Sequence, residues 1–253
     1  MKRGPMFALC AALVLPGCAA MAPKEMDKQA IVDAMEPSLR DAAKTAETNG
    51  DFEVAAGHYG ALHSMIPADR IVTLKLAQNL RYAGKAEEAL TLARQELNAR
   101  PDDGDFQVEV GKAHIDLGQP QDAIQALEKS KDLSPGNWQA YSALGVAYDY
   151  SGDAIKAQDA YQIGLGFSPN NPVLLNNLAL SLAQSGKLSE AIAHLEKAVA
   201  RVDATPRMRQ NLALLKALQG HPNEAAPLLT QDMPERRAAQ SLEFLQLLSD
   251  HRR

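Results

Sequence analysis

Residues 138–171 read WQAYSALGVAYDYSGDAIKAQDAYQIGLGFSPNN and predict two helices joined by a turn. In the first segment, Tyr141, Leu144 and Tyr148 recur at helical spacing, which indicates one apolar face. Gly152 is suited to end this helix because glycine readily adopts the positive φ of a helix C-terminus. The second segment ends at a Ser-Pro pair, since proline disfavours helix at the residue before it. We therefore predict an antiparallel helix pair in this stretch.

The same pattern returns every 34 residues through most of the chain. Three sets of residues share this spacing: a turn glycine, an alanine five residues later, and a proline near the end of the unit. The glycines are Gly50, Gly84, Gly118, Gly152, Gly186 and Gly220, the alanines are Ala55, Ala89, Ala123, Ala157, Ala191 and Ala225, and the prolines are Pro67, Pro101, Pro135 and Pro169. Such a period indicates a repeat array, in which neighbouring units cover the apolar face of each helix pair.

The repeat resembles the tetratricopeptide repeat. Its signature positions in the unit quoted above hold Tyr141, Leu144, Gly145, Tyr148, Ala157, Tyr161 and Pro169. The resemblance implies an all-α fold, a right-handed α-solenoid of about six helix-turn-helix repeats over residues 36–239. Pro227 falls inside the second helix of the sixth unit, so we expect that helix to be short or kinked. Residues 240–253 contain an amphipathic segment and predict a C-terminal capping helix.

Composition narrows the class of function. The chain has 253 residues, with 26 Lys and Arg against 31 Asp and Glu, and its net charge of −5 provides no basic surface for a nucleic acid. Alanine and leucine predominate over β-branched residues, which favours helices. Two cysteines, Cys10 and Cys18, leave little scope for a disulfide framework or a Cys-rich zinc site. These features argue against a DNA-binding protein, a disulfide-stapled domain and a polytopic membrane protein.

The first eighteen residues resemble the signal peptide of a bacterial lipoprotein. A basic Met-Lys-Arg start precedes the apolar run 6–15, which is too short to span a bilayer but has the length of a signal-peptide core. The sequence Leu-Pro-Gly-Cys ending at Cys18 resembles the lipobox. The resemblance implies removal of residues 1–17, a lipid anchor on Cys18 in the outer membrane facing the periplasm, and a lipidated N-terminus and tether over 18–35. The alternative is an ordinary secretory signal with a chance cysteine.

No familiar catalytic or metal-binding pattern occurs in the sequence. There is no phosphate loop, no H-E-x-x-H pair and no nucleophile elbow. The closest histidines, His58 and His63, would lie about 140° apart on a helix, which is a poor arrangement for a metal. Gly164-Leu165-Gly166 indicates helix packing or a helix end rather than a phosphate cradle. We therefore expect no catalytic residues, metal, cofactor or small-molecule substrate, and an enzyme is the least favoured class.

The tetratricopeptide resemblance implies that the first helices line a concave groove that binds peptides or helices of partner proteins. Positions 5, 9 and 12 of each first helix are expected to face it, and they change from charged to apolar and amide side chains along the chain. An amphipathic partner helix would suit such a groove. The alternative is that some of these leucines pack between helices. The candidate groove residues are Leu74, Val108, Lys112, Val146, Asp149, Asn176, Asn177, Leu180, Arg207, Gln210 and Leu214.

Two adjacent asparagines, Asn176 and Asn177, allow two interpretations. Asn177 occupies a position at which carboxylate-clamp repeats hold asparagine, and Arg207 one at which they hold lysine. Ser142 and Asn211 stand at the other basic positions, so the clamp is incomplete. A ligand role stays open, but amides that tie adjacent repeats together or face solvent are the favoured interpretation.

The runs SPNNPVLLNNLALSL (168–182) and ATPRMRQNLAL (204–214) resemble the Tad (tight adherence, Flp pilus) assembly lipoprotein family. Members of that family share the lipobox and the repeat array across nearly the whole chain. The resemblance implies a non-catalytic outer-membrane lipoprotein, a pilotin-like or scaffold factor that binds the pilus secretin or other Tad machinery. The alternative is a general periplasmic envelope scaffold, for example an adaptor for peptidoglycan enzymes.

Overall fold

The computed structural model describes residues 28–250, and the predicted signal peptide (1–17) and Cys18 lie outside them. Within this range the chain is helical, with no strand. The α-helices are α1 (Lys28–Asn49), α2 (Phe52–Met65), α3 (Arg70–Tyr82), α4 (Ala86–Ala99), α5 (Gly104–Asp116), α6 (Pro120–Leu133), α7 (Trp138–Ser151), α8 (Ala154–Phe167), α9 (Pro172–Gln184), α10 (Leu188–Val199), α11 (Pro206–Leu218), α12 (Ala226–Thr230) and α13 (Glu235–Asp250).

Helices α1 to α11 form a regular array in which each helix packs against the next along the chain. The first helices of successive units also contact each other, α3 with α5, α5 with α7, α7 with α9 and α9 with α11. Neighbouring units therefore cover the apolar face that one helix pair alone would expose to water. This architecture confirms the predicted all-α solenoid.

The ends of the first helices have the same backbone geometry in every unit. All six glycines of the 34-residue series adopt positive φ, and Gly152, for example, has a φ of +83° after α7. The starts of these helices are capped by side chains that accept hydrogen bonds from backbone N–H groups of the first turn. The capping residues recur at the repeat period: Asp69, Asp103, Asn137, Asn171 and Thr205.

In the third and fourth units, close packing depends on glycine at the eighth position of the first helix. A Cβ on Gly145 would lie 2.4 Å from the Tyr161 ring, and one on Gly111 would lie 2.4 Å from Leu127 Cγ. Tyr161 is 1% exposed and Leu127 is fully buried, so neither side chain has free space into which it could withdraw. These glycines therefore let the two helices of a unit approach each other.

The first helix begins earlier than the sequence suggested. We expected a tether up to residue 35, but α1 starts at Lys28 and runs as one helix of 22 residues. Pro37 is the tenth residue of this helix, where it cannot donate the helical hydrogen bond to the carbonyl four residues earlier. The part of the expected tether from 28 to 35 is therefore helical.

The C-terminal end departs from the regular repeat, as the position of Pro227 predicted. The second helix of the sixth unit is replaced by a 3-10 turn over Pro222–Glu224 and the five-residue helix α12. The following helix, α13, starts at Glu235 rather than at 240, directly after Pro234, whose carbonyl accepts bonds from its first turn. Ala238 and Leu245 of α13 are buried against α11 and α12, which confirms the capping role.

Candidate functional site

The first helices line a continuous groove that contains two adjoining clefts. The central cleft has a volume of about 340 Å³ and the C-terminal cleft about 440 Å³. Val146 contributes to both, so the two clefts are parts of one groove. The central cleft is lined by Arg81, Tyr82, Lys112, Ile115, Asp116, Trp138, Gln139, Ser142, Ala143, Val146 and Val173, and the C-terminal cleft by Val146, Asp149, Tyr150, Tyr161, Asn177, Leu180, Gln184 and Arg207.

Six of the eleven candidate groove residues line these clefts. They are Lys112, Val146, Asp149, Asn177, Leu180 and Arg207. Asn176 is half-buried and Gln210 is exposed, and neither lines a cleft.

The other three candidates line neither cleft, and one of them, Val108, is corrected from a groove residue to a core residue. Val108 is only 3% exposed and belongs to the core between α5, α6 and α7. Leu74 packs against the core of α4 and α5, and Leu214 packs against the C-terminal cap. Position 5 of α3 and α5 thus turns toward the neighbouring helices, as the alternative interpretation held for part of the set.

Leu180 differs from the other leucines of α9. Leu178 is fully buried and Leu182 is 4% exposed, and both belong to the core of the last units. Leu180 is half-buried and lines the C-terminal cleft. Its side chain therefore presents apolar surface to the groove.

In the first unit, position 12 of the first helix holds Glu47, whose carboxylate is hydrogen-bonded and ion-paired to neighbouring side chains. It accepts hydrogen bonds from Asn79 Nδ2 at 2.7 Å and, more weakly, from Tyr59 Oη at 3.5 Å. Lys75 Nζ also lies 3.1 Å from Glu47 Oε1 and forms an ion pair with it. The negative charge is thus paired within the chain.

A similar arrangement recurs 102 residues later, three repeats on, where Asp149 replaces Glu47 and Ser181 replaces Asn79. Asp149 accepts hydrogen bonds from Ser181 Oγ at 2.6 Å and from Tyr161 Oη at 2.9 Å. Asn177 stands at the place of Lys75, so no ion pair forms with Asp149 among residues 28–250. Burial raises the pKa of Asp149 above its usual value, although the two hydroxyl donors favour the ionised form.

Charges in the central cleft, in contrast, are paired. Arg81 donates to Glu109 at 3.3 Å and to Asp116 at 3.1 Å, and Lys112 donates to Glu109 at 3.1 Å. Glu109 is 3% exposed and is held by both cations. A ligand in this cleft would meet balanced charges beside the apolar side chains.

The two asparagines take part in a chain of hydrogen bonds across three units. Asn211 Nδ2 donates to Asn176 Oδ1 at 2.8 Å, and Asn176 Nδ2 donates to Asn177 Oδ1 at 3.1 Å. Asn177 Nδ2 lies 3.4 Å from Ser142 Oγ. This arrangement supports the interpretation in which the amides tie adjacent repeats together.

The histidines do not form a site in the described part of the chain. His63 Nδ1 contacts Thr73 Oγ1 at 3.0 Å, while His114 is buried between Arg94 and Gln119, a structural role that the sequence did not indicate. No group of metal ligands occurs among the residues that the structure describes. No helix in this range is long and apolar enough to cross a membrane.

Two family models match the chain, and both describe tetratricopeptide repeats. One covers residues 74–138 and the other residues 173–202. Repeats of this type generally serve as non-catalytic scaffolds for protein partners.

Curated relatives share parts of the chain. An uncharacterized protein of Sinorhizobium fredii is 31% identical over 123 residues, which is 49% of this chain and 67% of that protein. The peroxisomal targeting signal receptor of Saccharomyces cerevisiae is 32% identical over 127 residues, 50% of this chain. That match spans only 21% of the yeast receptor's own length.

Solved structures share the fold over larger parts of the chain. PilW, described as a widely conserved type IV pilus biogenesis factor, covers 81% of this chain and 97% of its own, with a TM-score of 0.66 and 18% identity. A thermophilic tetratricopeptide protein of Thermus thermophilus covers 70% of this chain and 98% of its own, with a TM-score of 0.61 and 23% identity. The repeat period, the helix array and these matches agree, and the chain belongs to the tetratricopeptide-repeat proteins.

Proposed function

We propose that this protein is a lipid-anchored, non-catalytic scaffold for Tad/Flp pilus assembly, which acts as a pilotin-like factor. Its C-terminal cleft would bind an amphipathic segment of the pilus secretin or of another pilus component. The observation that carries the proposal is the groove itself, in which Leu180 and Val146 present apolar surface beside polar groups. Apolar surface of this kind on a soluble solenoid marks an interaction site.

The class of partner follows from two sequence resemblances. The runs 168–182 and 204–214 resemble Tad assembly lipoproteins, and the lipobox at Cys18 implies an outer-membrane anchor. A type IV pilus biogenesis factor has the same fold, which supports the proposal at the level of architecture alone.

Binding in the groove would protect the partner before assembly. A secretin segment that later contacts other subunits exposes apolar side chains to water until then. Burial of such side chains against the groove is favourable by about 25 cal/mol per Å² of apolar surface. Because the anchor would hold the solenoid at the outer membrane, the bound segment would arrive where the secretin assembles.

Site-specific photo-crosslinking tests the partner. A photoreactive amino acid replaces Leu180 in the cleft, and a matched control replaces Ile155, which is 77% exposed on α8 and lines neither cleft. In cells that make Flp pili, position 180 should crosslink to the secretin or another pilus component, and position 155 should not. Crosslinks from position 180 to peptidoglycan enzymes would instead favour the envelope-adaptor alternative.

The anchor is tested separately by Cys18→Ser. Oxygen does not replace the thiol in lipid transfer, so the variant should accumulate as an unprocessed precursor without acyl chains. Membrane fractionation and mass spectrometry measure both properties. A variant that is processed and retained in the outer membrane like the natural protein would contradict the lipoprotein assignment.

A further inference from the structure

Position 12 of each first helix is matched with position 6 of the next, 28 residues later. Where both residues are charged, they form ion pairs: Lys75 with Glu47, and Arg81 with Glu109. Two further matches contain no charge. The full series is Glu47 with Lys75, Arg81 with Glu109, Ile115 with Ala143, Asp149 with Asn177, and Ala183 with Asn211. Asp149 is therefore the charged member of this series without an opposite charge.

The surroundings of Asp149 do not supply the missing cation. Tyr161 on α8 donates a hydrogen bond but carries no positive charge. Arg207 lines the same cleft from α11, beyond α9, and forms no ion pair in the range 28–250. Asp116 on α5 and Glu128 on α6 are themselves acidic and are bonded elsewhere. The carboxylate thus lines the cleft without a paired cation in the described part of the chain.

A ligand that covers this cleft would shield the partly exposed Asp149 from solvent. An ionised carboxylate is costly to bury without a partner, so a purely apolar segment would bind poorly at this place. Two of the roughly four acceptor directions of a carboxylate are taken by Ser181 and Tyr161, which leaves the others for a donor on the ligand. An ammonium or guanidinium group supplies both the donor and the opposite charge.

We propose that the C-terminal cleft selects a segment in which a lysine or arginine stands beside apolar anchors, with the cation at Asp149 in the place that Lys75 occupies at Glu47. The apolar anchors contact Leu180 and Val146, which line the same cleft. This inference rests on the proposed function, because it requires the groove to bind a protein segment. It adds the chemical rule by which the groove distinguishes one segment from another.

The experiment measures peptide affinities of the full-length lipoprotein in detergent. The probes are amphipathic peptides of about 18 residues with one leucine face and one guest residue, Lys, Gln or Glu, which is moved through the positions beside the leucines. For the best position we expect the Lys peptide to bind about tenfold more tightly than the Gln peptide, and the Glu peptide to bind most weakly.

Three variants locate this preference. Asp149→Asn removes the anion, and Asn177→Lys places a cation within the chain as in the first unit, so both should bind Lys and Gln peptides equally. Asp159→Asn makes the same charge change on α8 outside both clefts and should keep the tenfold preference. A Lys preference that survives in Asp149→Asn and Asn177→Lys would overturn the inference.

A pH series on the unsubstituted protein gives a second readout that does not depend on how well a variant folds. Protonation of Asp149 removes the anion, so the Lys preference should decline as the pH falls, and the raised pKa of this group places the decline above the range of an ordinary aspartate. A preference that is independent of pH would contradict the pairing. If leucine peptides bind without any preference for Lys, the inference fails alone. If no peptide binds, the proposed function fails with it.

Discussion

The junctions between the first three units and the junction between units four and five use different polar contacts. Ion pairs join the early units, including Lys75 with Glu47, Arg70 with Asp103 and Arg81 with Glu109. Between α7–α8 and α9–α10 the contacts are made by hydroxyl and amide groups: Ser181 with Asp149, Asn177 with Ser142, and Gln158 with Ser185. The backbone architecture is the same on both sides.

This difference distinguishes the positions whose residue type is fixed by the repeat fold from the positions at which the fold allows several residue types. Small residues such as Gly145 and positive-φ glycines such as Gly152 are dictated by helix spacing and turn geometry. Positions 6 and 12 lie at the junction and on the groove, where several polar combinations are compatible with the same packing. The early junctions satisfy their charges internally, whereas the later junction leaves Asp149 for a ligand.

The largest expected effect is at the ion-paired end. Arg81 is 11% exposed and its partner Glu109 is 3% exposed, so Arg81→Met should lower the free energy of unfolding by about 3 kcal/mol. The matched control Lys85→Met breaks a pair with Glu53, which is 76% exposed and screened by solvent, so its effect on the free energy of unfolding should be much smaller. Urea titrations followed by circular dichroism measure both. Equal costs would show that the buried pair does not stabilise the early junction.

The next effect tests close apolar packing at the later junction. A Cβ on Gly164 would lie 2.9 Å from Leu174 Cδ2 of the next unit and 3.2 Å from Tyr141 Cβ, so Gly164→Ala should cost about 2 kcal/mol. Helix propensity alone would favour alanine at this helical position, but the crowding outweighs it. Gly166→Ala, where no atom lies within 4 Å, is the control and should be neutral or slightly stabilising. Similar melting temperatures for the two variants would contradict this account of the junction.

A smaller effect concerns pH. Acid should change the contributions of Asp103 and Asp149 to the free energy of unfolding in opposite directions. Hydrogen bonding to Arg70 lowers the pKa of Asp103, so its contribution to stability is present above the unfolded pKa and is lost as the pH falls through the folded pKa. Burial raises the pKa of Asp149, so the penalty that its charge imposes at neutral pH disappears on acidification.

Thermal melts between about pH 4 and 7 check these signs. Asp103→Asn should cost about 1 kcal/mol at pH 7 and progressively less toward acid. Asp149→Asn should cost least at pH 7 and more toward acid, where the natural side chain is protonated and donates a hydrogen bond of its own. Parallel pH profiles for the two variants would contradict the opposite shifts.

Much of the fold could be predicted from the sequence, because period and residue size reflect the backbone directly. The turn glycines were found in this way, and the N-cap residues from Asp69 to Thr205 carried the same signal at the same period. The groove was harder to predict, since an apolar residue such as Val108 suits either the core or a concave surface. The sequence alone does not distinguish Asp149 either, because the absence of a paired cation depends on which side chains surround it in the fold. Glu47, three repeats earlier, has such a cation in Lys75.

The central claim, that the C-terminal cleft is the binding surface, is tested most directly by a pair of substitutions on α9. Leu180→Glu places a charge in the cleft, and Leu178→Glu places the same charge in the core, where the side chain is fully buried. The measurement is the melting temperature of each purified variant beside the number of surface pili in cells. We predict that Leu180→Glu keeps its helicity and melting temperature but loses pili, while Leu178→Glu unfolds. A sharp fall in the melting temperature of Leu180→Glu, or normal piliation with it, would contradict the claim.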